Sequence, residues 1–446
     1  MSPELTPEFD VVVVGAGFAG ATAARELATR GLRTVVLEGR DRIGGRSGSR
    51  RMSDGSYADV GGTFVHWTQP HTWAEITRYG LTDDVVPGLA DLEWVATYSA
   101  GRITWTSFAE VEAFTRSAYE KVMGASAAIF PNPAEPLQEL EAVTALETVT
   151  VAEALQQLDL SPEEYAALSA TFGAYAGQPA RQASWLGILR WFAAGNDNYA
   201  DFMDMVFTWK LRNGTGSLID AIIADGGAEV RLDSPVTGVH STDDGIRVTL
   251  RDGGVVTGRA CVVATPANTW PHLDLSPELP AAQREAAEEG MAATTAGKGV
   301  AVLRGETRAM QFAGDASLPF SFFTTGFRGP EEQVVALYTS HPDFDLSDPA
   351  VVKKAVETAL PHVTVLESVA DMYVADDPMF RGAWGFLRRG QLTTYVPHRS
   401  FTRLDERVVF ATSDISRLFQ GAFFDGAIES GLRAAGEIRS YLAGRP

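Results

Sequence analysis

Of the 446 residues only one, Cys261, is a cysteine. An internal disulfide is therefore excluded, and a reducing compartment fits. Cys261 sits in the apolar run Ala260-Cys261-Val262-Val263-Ala264, with nothing basic beside it to form a thiolate, so it reads as a small core residue. Positive charge is scarce as well: 37 Lys and Arg against 57 Asp and Glu leave a formal net charge of −20. Such a surface repels phosphate backbones and anionic lipids, which argues against nucleic-acid and membrane-surface partners. No apolar run approaches the ~18–20 residues a bilayer span needs. The opening MSPELTPEFD has neither a basic nor an apolar leader region. A cytoplasmic, soluble protein is expected. Neither Cys pairs nor HxxxH spacing is present, so no metal site is expected.

Glycine, by contrast, is abundant, with 43 residues. Asp10 to Val14 reads as a strand that runs into Gly15-Ala16-Gly17-Phe18-Ala19-Gly20, then a helical stretch from Ala21 to Arg30, then a second strand, Thr34 to Leu37, ending on Glu38. This is a βαβ nucleotide-binding unit. Gly15 makes the tight turn, Gly17 lets a pyrophosphate approach the backbone, and Gly20 lets helix and strand pack closely. The free N–H groups of the helix N-terminus, with Phe18 and Ala19, attract phosphate. Glu38 lies where a carboxylate accepts from ribose hydroxyls.

The next segment, Gly39-Arg40-Asp41-Arg42-Ile43-Gly44-Gly45-Arg46, offers a second close backbone approach and two planar guanidinium forks, Arg40 and Arg46, for phosphate oxygens. A nicotinamide enzyme has no need of this second loop. With Gly61-Gly62-Thr63, it resembles the FAD-binding signature of the flavin amine oxidase superfamily.

The resemblance spans nearly the whole chain. Gly62-Thr63-Phe64-Val65-His66-Trp67-Thr68-Gln69-Pro70-His71 is similar to the segment passing the flavin ring in bacterial nicotine and 6-hydroxynicotine oxidases, the branch most resembled. The stretch from Ala228 to Gly238 resembles the strand whose backbone meets adenine, with Val236 at the matching position. Ala264 to Trp270 resembles the turn returning to the FAD domain. Phe410 to Asp414 and Asp425 to Gly431 resemble the closing flavin motif, which implies Asp414 at the ribityl chain and the helix start around Phe424 and Ala427 at the pyrimidine edge. Trp384 and Phe423 match the two walls of the aromatic cage where monoamine oxidases carry tyrosine; core packing is the alternative for each.

The implied fold is α/β: a Rossmann-type FAD-binding domain (1–85, 213–290 and 401–446) interleaved with a substrate domain of helices (86–212) and mixed sheet (291–400). Helical spacing marks Val143 to Leu158, Pro162 to Phe172 and Trp185 to Ala194. The implied activity is oxidation of an amine C–N bond to an imine by hydride transfer to flavin, on a secondary or cyclic amine such as an N-heterocyclic alkaloid. An L-amino-acid oxidase or flavin-dependent desaturase is the alternative, and would want a buried arginine such as Arg304, Arg381 or Arg388. A non-catalytic flavin protein is a third reading, disfavoured by the intact cage. FAD is expected to be non-covalent, since Cys261 is far in sequence from the Trp384 segment where a linking cysteine would fall. The acceptor is O2 or a redox protein; a homodimer stays open.

Where the family places a lysine near flavin N5, alignment on Gly299 puts Ala301. Lys298, three residues earlier, falls on the opposite strand face and is not expected to substitute. This implies slow reoxidation by oxygen. His66 is a candidate for positioning substrate. Tyr175, Trp185, Trp191, Tyr199, Phe202 and Trp209 are mostly core, with one or two at the substrate cavity.

Overall fold

The computed structural model describes residues 7–444, apart from 54, 294–295, 315–317, 319, 321, 340–344, 371–376, 396–398 and 420. The first six residues, part of the stretch read for a leader, lie outside it. No helix among the described residues is long and apolar enough to cross a membrane.

Valine-rich runs make the centre of an eight-stranded sheet. Phe9–Val14 pairs in parallel with Thr34–Leu37 and with Val255–Val263, and the latter also pairs with Val408–Phe410. Val12 and Val14 face one apolar cluster while Val11 and Val13 face another. Both faces are covered, as a parallel sheet requires. Cys261 is fully buried, opposite Val12 and Val408. The helix Phe18–Ala28 covers one face beside the last helix, Phe424–Ala443. They cross closely because Gly431 lacks a side chain: a Cβ there would fall 2.4 Å from the Ala19 carbonyl oxygen.

A second, seven-stranded sheet runs Thr364–Val369, Gly297–Arg304, Glu332–Thr339, Phe322–Arg328, Met310–Gly314, Trp94–Ser99, Arg102–Ser107. Alternation along Gly297–Arg304 sets its two faces. Ala301 and Leu303 pack under the helix Pro349–Ala359, against Val352 and Val356. Val300 and Val302 pack on Met52, Ala58 and Val60, around the hairpin Ser49–Arg51/Tyr57–Asp59 that follows the second glycine loop. The substrate-side sheet thus rests directly on the nucleotide-side loops.

The third layer is helical. Phe108–Met123, Pro162–Ala176, Trp185–Ala194 and Tyr199–Phe207 bury Tyr119, Phe172, Phe192 and Phe202 together. Two expectations differ here. Residues 94–107 are strands, not part of a helical region, and extend the second sheet. Val143 to Leu158 is not one helix but two, Leu140–Leu146 and Val151–Gln156. The break is a capping box at Thr150 with Glu153. In the gap, Glu147 accepts from the Leu392 and Thr393 amides at 2.9 and 3.2 Å. Apolar spacing continues across the break, which is why periodicity alone misses it.

Candidate active site

The first glycine loop leaves the strand Phe9–Val14 with Gly15 at φ +100°, the left-handed region where glycine is favoured. Gly20 is equally constrained: a Cβ there would fall 1.9 Å from the Gly15 carbonyl oxygen. Gly17 caps the helix Phe18–Ala28 without a side-chain bond, so the first-turn amides of Phe18, Ala19 and Gly20 carry no side-chain cap. The second loop meets the first: Gly44 pairs with Gly17, and a Cβ on Gly45 would lie 3.1 Å from the Gly17 Cα. Two backbones approach with no side chain between them, the cradle a pyrophosphate needs.

Glu38 stands beside the first glycine loop. Its carboxylate accepts from the Ala16 amide at 2.8 Å and the Arg40 amide at 3.0 Å. Burial pushes its pKa up against those bonds. The Ser234 amide donates to the Glu38 carbonyl at 2.8 Å, bringing the start of the strand Val236–Thr242 alongside. Gly39 faces Pro235 and the Met379 sulfur. Arg40 pairs with Asp377 and lies 4.6 Å over the Phe380 ring, while its buried Nε has no partner. Arg46 joins three segments: it donates to Asp414 at 2.9 Å, to the Ala383 carbonyl at 3.2 Å, and to Thr412 and Ser413. Asp414, fully buried, also accepts the Ala267 amide at 3.0 Å. The helix Phe424–Ala443 begins without a side-chain cap, leaving the amides from Phe424 to Ala427 at a positive dipole end. The Phe424 ring itself fills the space of the side chain Gly62 lacks, and packs on Phe18 at 5.1 Å. The glycine cradle, the buried Glu38 carboxylate and the orphaned Arg40 Nε fit a dinucleotide.

The lysine expectation is corrected. Lys298 shares its face with Val300 and Val302, towards the nucleotide loops; Ala301 faces the opposite cluster. The Lys298 ammonium donates to the Gly61 carbonyl at 2.6 Å and to the Thr63 hydroxyl, so it reaches the Gly62-Thr63 segment. Burial pushes its pKa down to about 8, partly offset by Asp59 and reinforced by Lys210. Lys298 and Ala301 do lie on opposite faces of the strand, and it is Ala301 that points away from the nucleotide loops. With Lys298 at the Gly61-Gly62-Thr63 segment, Ala301 gives no reason to expect slow reoxidation by oxygen. Ala301→Lys should therefore put an amine among Leu303, Phe312, Phe323 and Val335, at a cost of about 3 kcal/mol or more. Its thermal midpoint should fall with no gain in flavin reoxidation; faster reoxidation would return Ala301 to the site.

The two candidate cage walls spring from touching segments. Gly385 and Gly421 meet so closely that a Cβ on Gly421 would fall 2.1 Å from the Gly385 oxygen. Trp384 precedes one, and Phe423 follows the other. The Trp384 indole donates to the Tyr175 carbonyl at 2.7 Å. The Tyr175 ring packs on Trp191 (6.0 Å) and Phe207 (5.5 Å), and Trp191 meets Phe423 edge-on at 5.3 Å. Phe207 in turn meets Phe64 at 5.8 Å. A continuous aromatic arc thus runs from Phe423 to the Thr63 segment. Trp384 and Phe423 are both half-buried, each packed against the edge of an apolar cluster.

His66 has both ring nitrogens engaged, with Thr68 at 2.7 Å and Asp204 at 2.9 Å, and Asp204 also takes the Trp209 indole at 2.8 Å. It braces the helix Tyr199–Phe207 and leaves nothing for a substrate. Asp425 is likewise occupied, accepting the His71 and Thr72 amides that begin the helix Pro70–Arg78; burial raises its pKa to about 6. Lys210 and Asp59 were missed. Neither stands in a motif, and only the fold brings them to Lys298.

A nucleotide-binding sheet covered on both faces, with an aromatic arc reaching the Gly62-Thr63 segment, defines a flavoprotein oxidoreductase. The chain belongs to the family of flavin containing amine oxidoreductases, which matches residues 18–439. It is an FAD-dependent enzyme acting on amines. It is 33% identical to pseudooxynicotine dehydrogenase of a Pseudomonas species, over 98% of this chain and 88% of the relative. To nicotine dehydrogenase of Pseudomonas putida it is 34% identical, over 98% and 89%. To (S)-6-hydroxynicotine oxidase of Paenarthrobacter nicotinovorans it is 32% identical, over 95% and 97%. A solved putrescine oxidase variant superposes with a TM-score of 0.78 at 21% identity, covering 98% of this chain and all of that one.

Proposed function

We propose that this protein oxidises the C–N bond of a secondary or cyclic amine, of the N-heterocyclic alkaloid type, to an imine. The observation that carries the reading is the aromatic arc joining Phe423, Trp191, Tyr175 and Phe64, with Trp384 tied to it by its indole. FAD, when bound, supplies the hydride acceptor. The chain's own work is to seat the amine. Hydroxyl-free walls at Trp384 and Phe423 exclude water and favour the neutral amine, whose lone pair is free. Relatives named for nicotine and its derivatives support a flat heterocycle as the body of the substrate. The amino-acid oxidase reading loses one of its arginines: Arg304 is on the surface, paired with Glu332.

Anaerobic mixing of the holoenzyme with a panel of amines tests this. Cyclic secondary amines should bleach the flavin band faster than primary amines or amino acids; bleaching by amino acids alone would overturn it.

We further infer that FAD is held without a covalent bond. The only cysteine is fully buried in the nucleotide-side sheet, where burial pushes its thiol pKa up. Acid precipitation should release all the yellow colour to the supernatant. A coloured pellet is the contrary result.

A further inference from the structure

Beyond Phe64, on the side of the second sheet, lies a cavity of about 390 Å³, within the size range of small-molecule sites. Phe327, Leu89, Thr63 and Lys298 are among the residues that line it. Its charge is opposite to that of the chain. Lys210, Arg212 and Lys298 line it against a single carboxylate, Asp59, in a protein of net charge −20. Arg212 is at the rim, near Asp84 at 3.6 Å. The two lysines are more buried, and desolvation pushes the pKa of each down. Neither is hydrogen-bonded to a carboxylate among the described residues. One oxygen of Asp59 takes Ser49 (2.7 Å) and the amide and hydroxyl of Thr215 (2.9 and 3.0 Å), and its charge acts on the lysines only through space.

Two donors in the lining have no hydrogen-bond acceptor. Lys210, half-buried in the strand Trp209–Leu211, makes no side-chain hydrogen bond with the described residues. Thr324, 5% exposed, lines the cavity with its hydroxyl unpartnered. Burying donors without acceptors is costly, and two neighbouring ammoniums add repulsion. An anion placed between them relieves both. Phe64, Val334 and Phe327 give it apolar lining as well.

We propose that this cavity is a binding site for a small organic carboxylate, its charged end held by Lys210 and Lys298 with the Thr324 hydroxyl as a further donor, and its apolar body against Phe64, Val334 and Phe327. The occupant need not react, and the site stands whether or not the substrate is a cyclic amine.

Benzoate is the probe. It carries the required charge and a flat apolar body, and benzamide is its neutral counterpart of the same shape. Calorimetric titration of the oxidised holoenzyme, with no amine present, should show saturable binding of benzoate and at least tenfold weaker binding of benzamide. Lys210→Met should weaken benzoate at least tenfold, with flavin content and thermal midpoint checked on the same sample. Thr324→Val, an isosteric change, should weaken it severalfold and covers the case in which the lysine variant fails to fold. No saturable heat, equal affinity for benzamide, or an unchanged benzoate affinity in a folded variant would each overturn the proposal. Because no amine enters the titration, its failure leaves the amine reading standing, and failure of the amine panel leaves this one.

Discussion

Gly17→Val should yield a folded protein that purifies colourless. The Cβ itself is tolerable, since an ideal one lies 3.7 Å from the Gly45 Cα. The two γ-methyls are not, because they extend into the gap between the glycine loops where a pyrophosphate would lie. Several charge-assisted bonds of about 1.5–3 kcal/mol each would be lost together, so FAD affinity should fall by on the order of 100-fold or more. Glu38→Ala is the milder companion. It removes one carboxylate, at about 1.5–3 kcal/mol, and also frees the Ala16 and Arg40 amides that Glu38 now satisfies. Flavin absorbance per protein, with circular dichroism to confirm folding, measures both. A Gly17→Val protein with full flavin content would show that the cofactor lies elsewhere.

Trp384→Ala and Phe423→Ala should each slow flavin reduction by the amine at least ~10-fold while FAD content stays near wild type. The reason is positioning: two walls that confine the amine hold its α-carbon where reaction needs it, and loose placement is costly in rate. Phe423→Tyr should be tolerated, since the wall remains. Trp384→Phe should fall between, keeping a ring but losing the indole bond to the Tyr175 carbonyl. If both rings merely packed, the pattern would reverse. A large buried ring cut to Ala costs roughly 3–5 kcal/mol, so stability would go first and rate would hold. Anaerobic stopped-flow and thermal melts on the same samples separate the two. A large drop in midpoint with unchanged reduction would remove both residues from the site.

What the sequence made legible follows from the range of the interactions involved. The Gly15-to-Glu38 unit is local, its glycines forced by backbone approach within one βαβ turn, and the structure shows that unit with the carboxylate at the loop. Gly297–Arg304 was legible as a strand, but which face met the nucleotide loops was not. Alignment on one glycine chose Ala301; the apolar neighbours Val300 and Val302 already divided the faces, though nothing in one sequence says which face meets the hairpin. Glu147 shows another limit, because its amide partners lie more than two hundred residues on. Lys210 and Asp59 belong to the same class: charge near Lys298 is a property of three separate segments. Trp94–Ser99 and Arg102–Ser107 form a local hairpin whose turn at Ala100-Gly101 stood in the sequence; only the pairing of its other edge with Met310–Gly314 is remote.

The close crossing of the first and last helices at Gly431 and Ala19 fixes when the protein can first hold its cofactor. At roughly 5–20 residues per second, translation separates the two helices by tens of seconds. Until the C-terminal helix emerges, the face of the first helix that it covers is bare, and the strand Val408–Phe410 has yet to reach the sheet. Flavin loading therefore waits on the helix Phe424–Ala443, and a chain interrupted before that helix leaves the nucleotide fold without its closing layer, however intact its glycine loop.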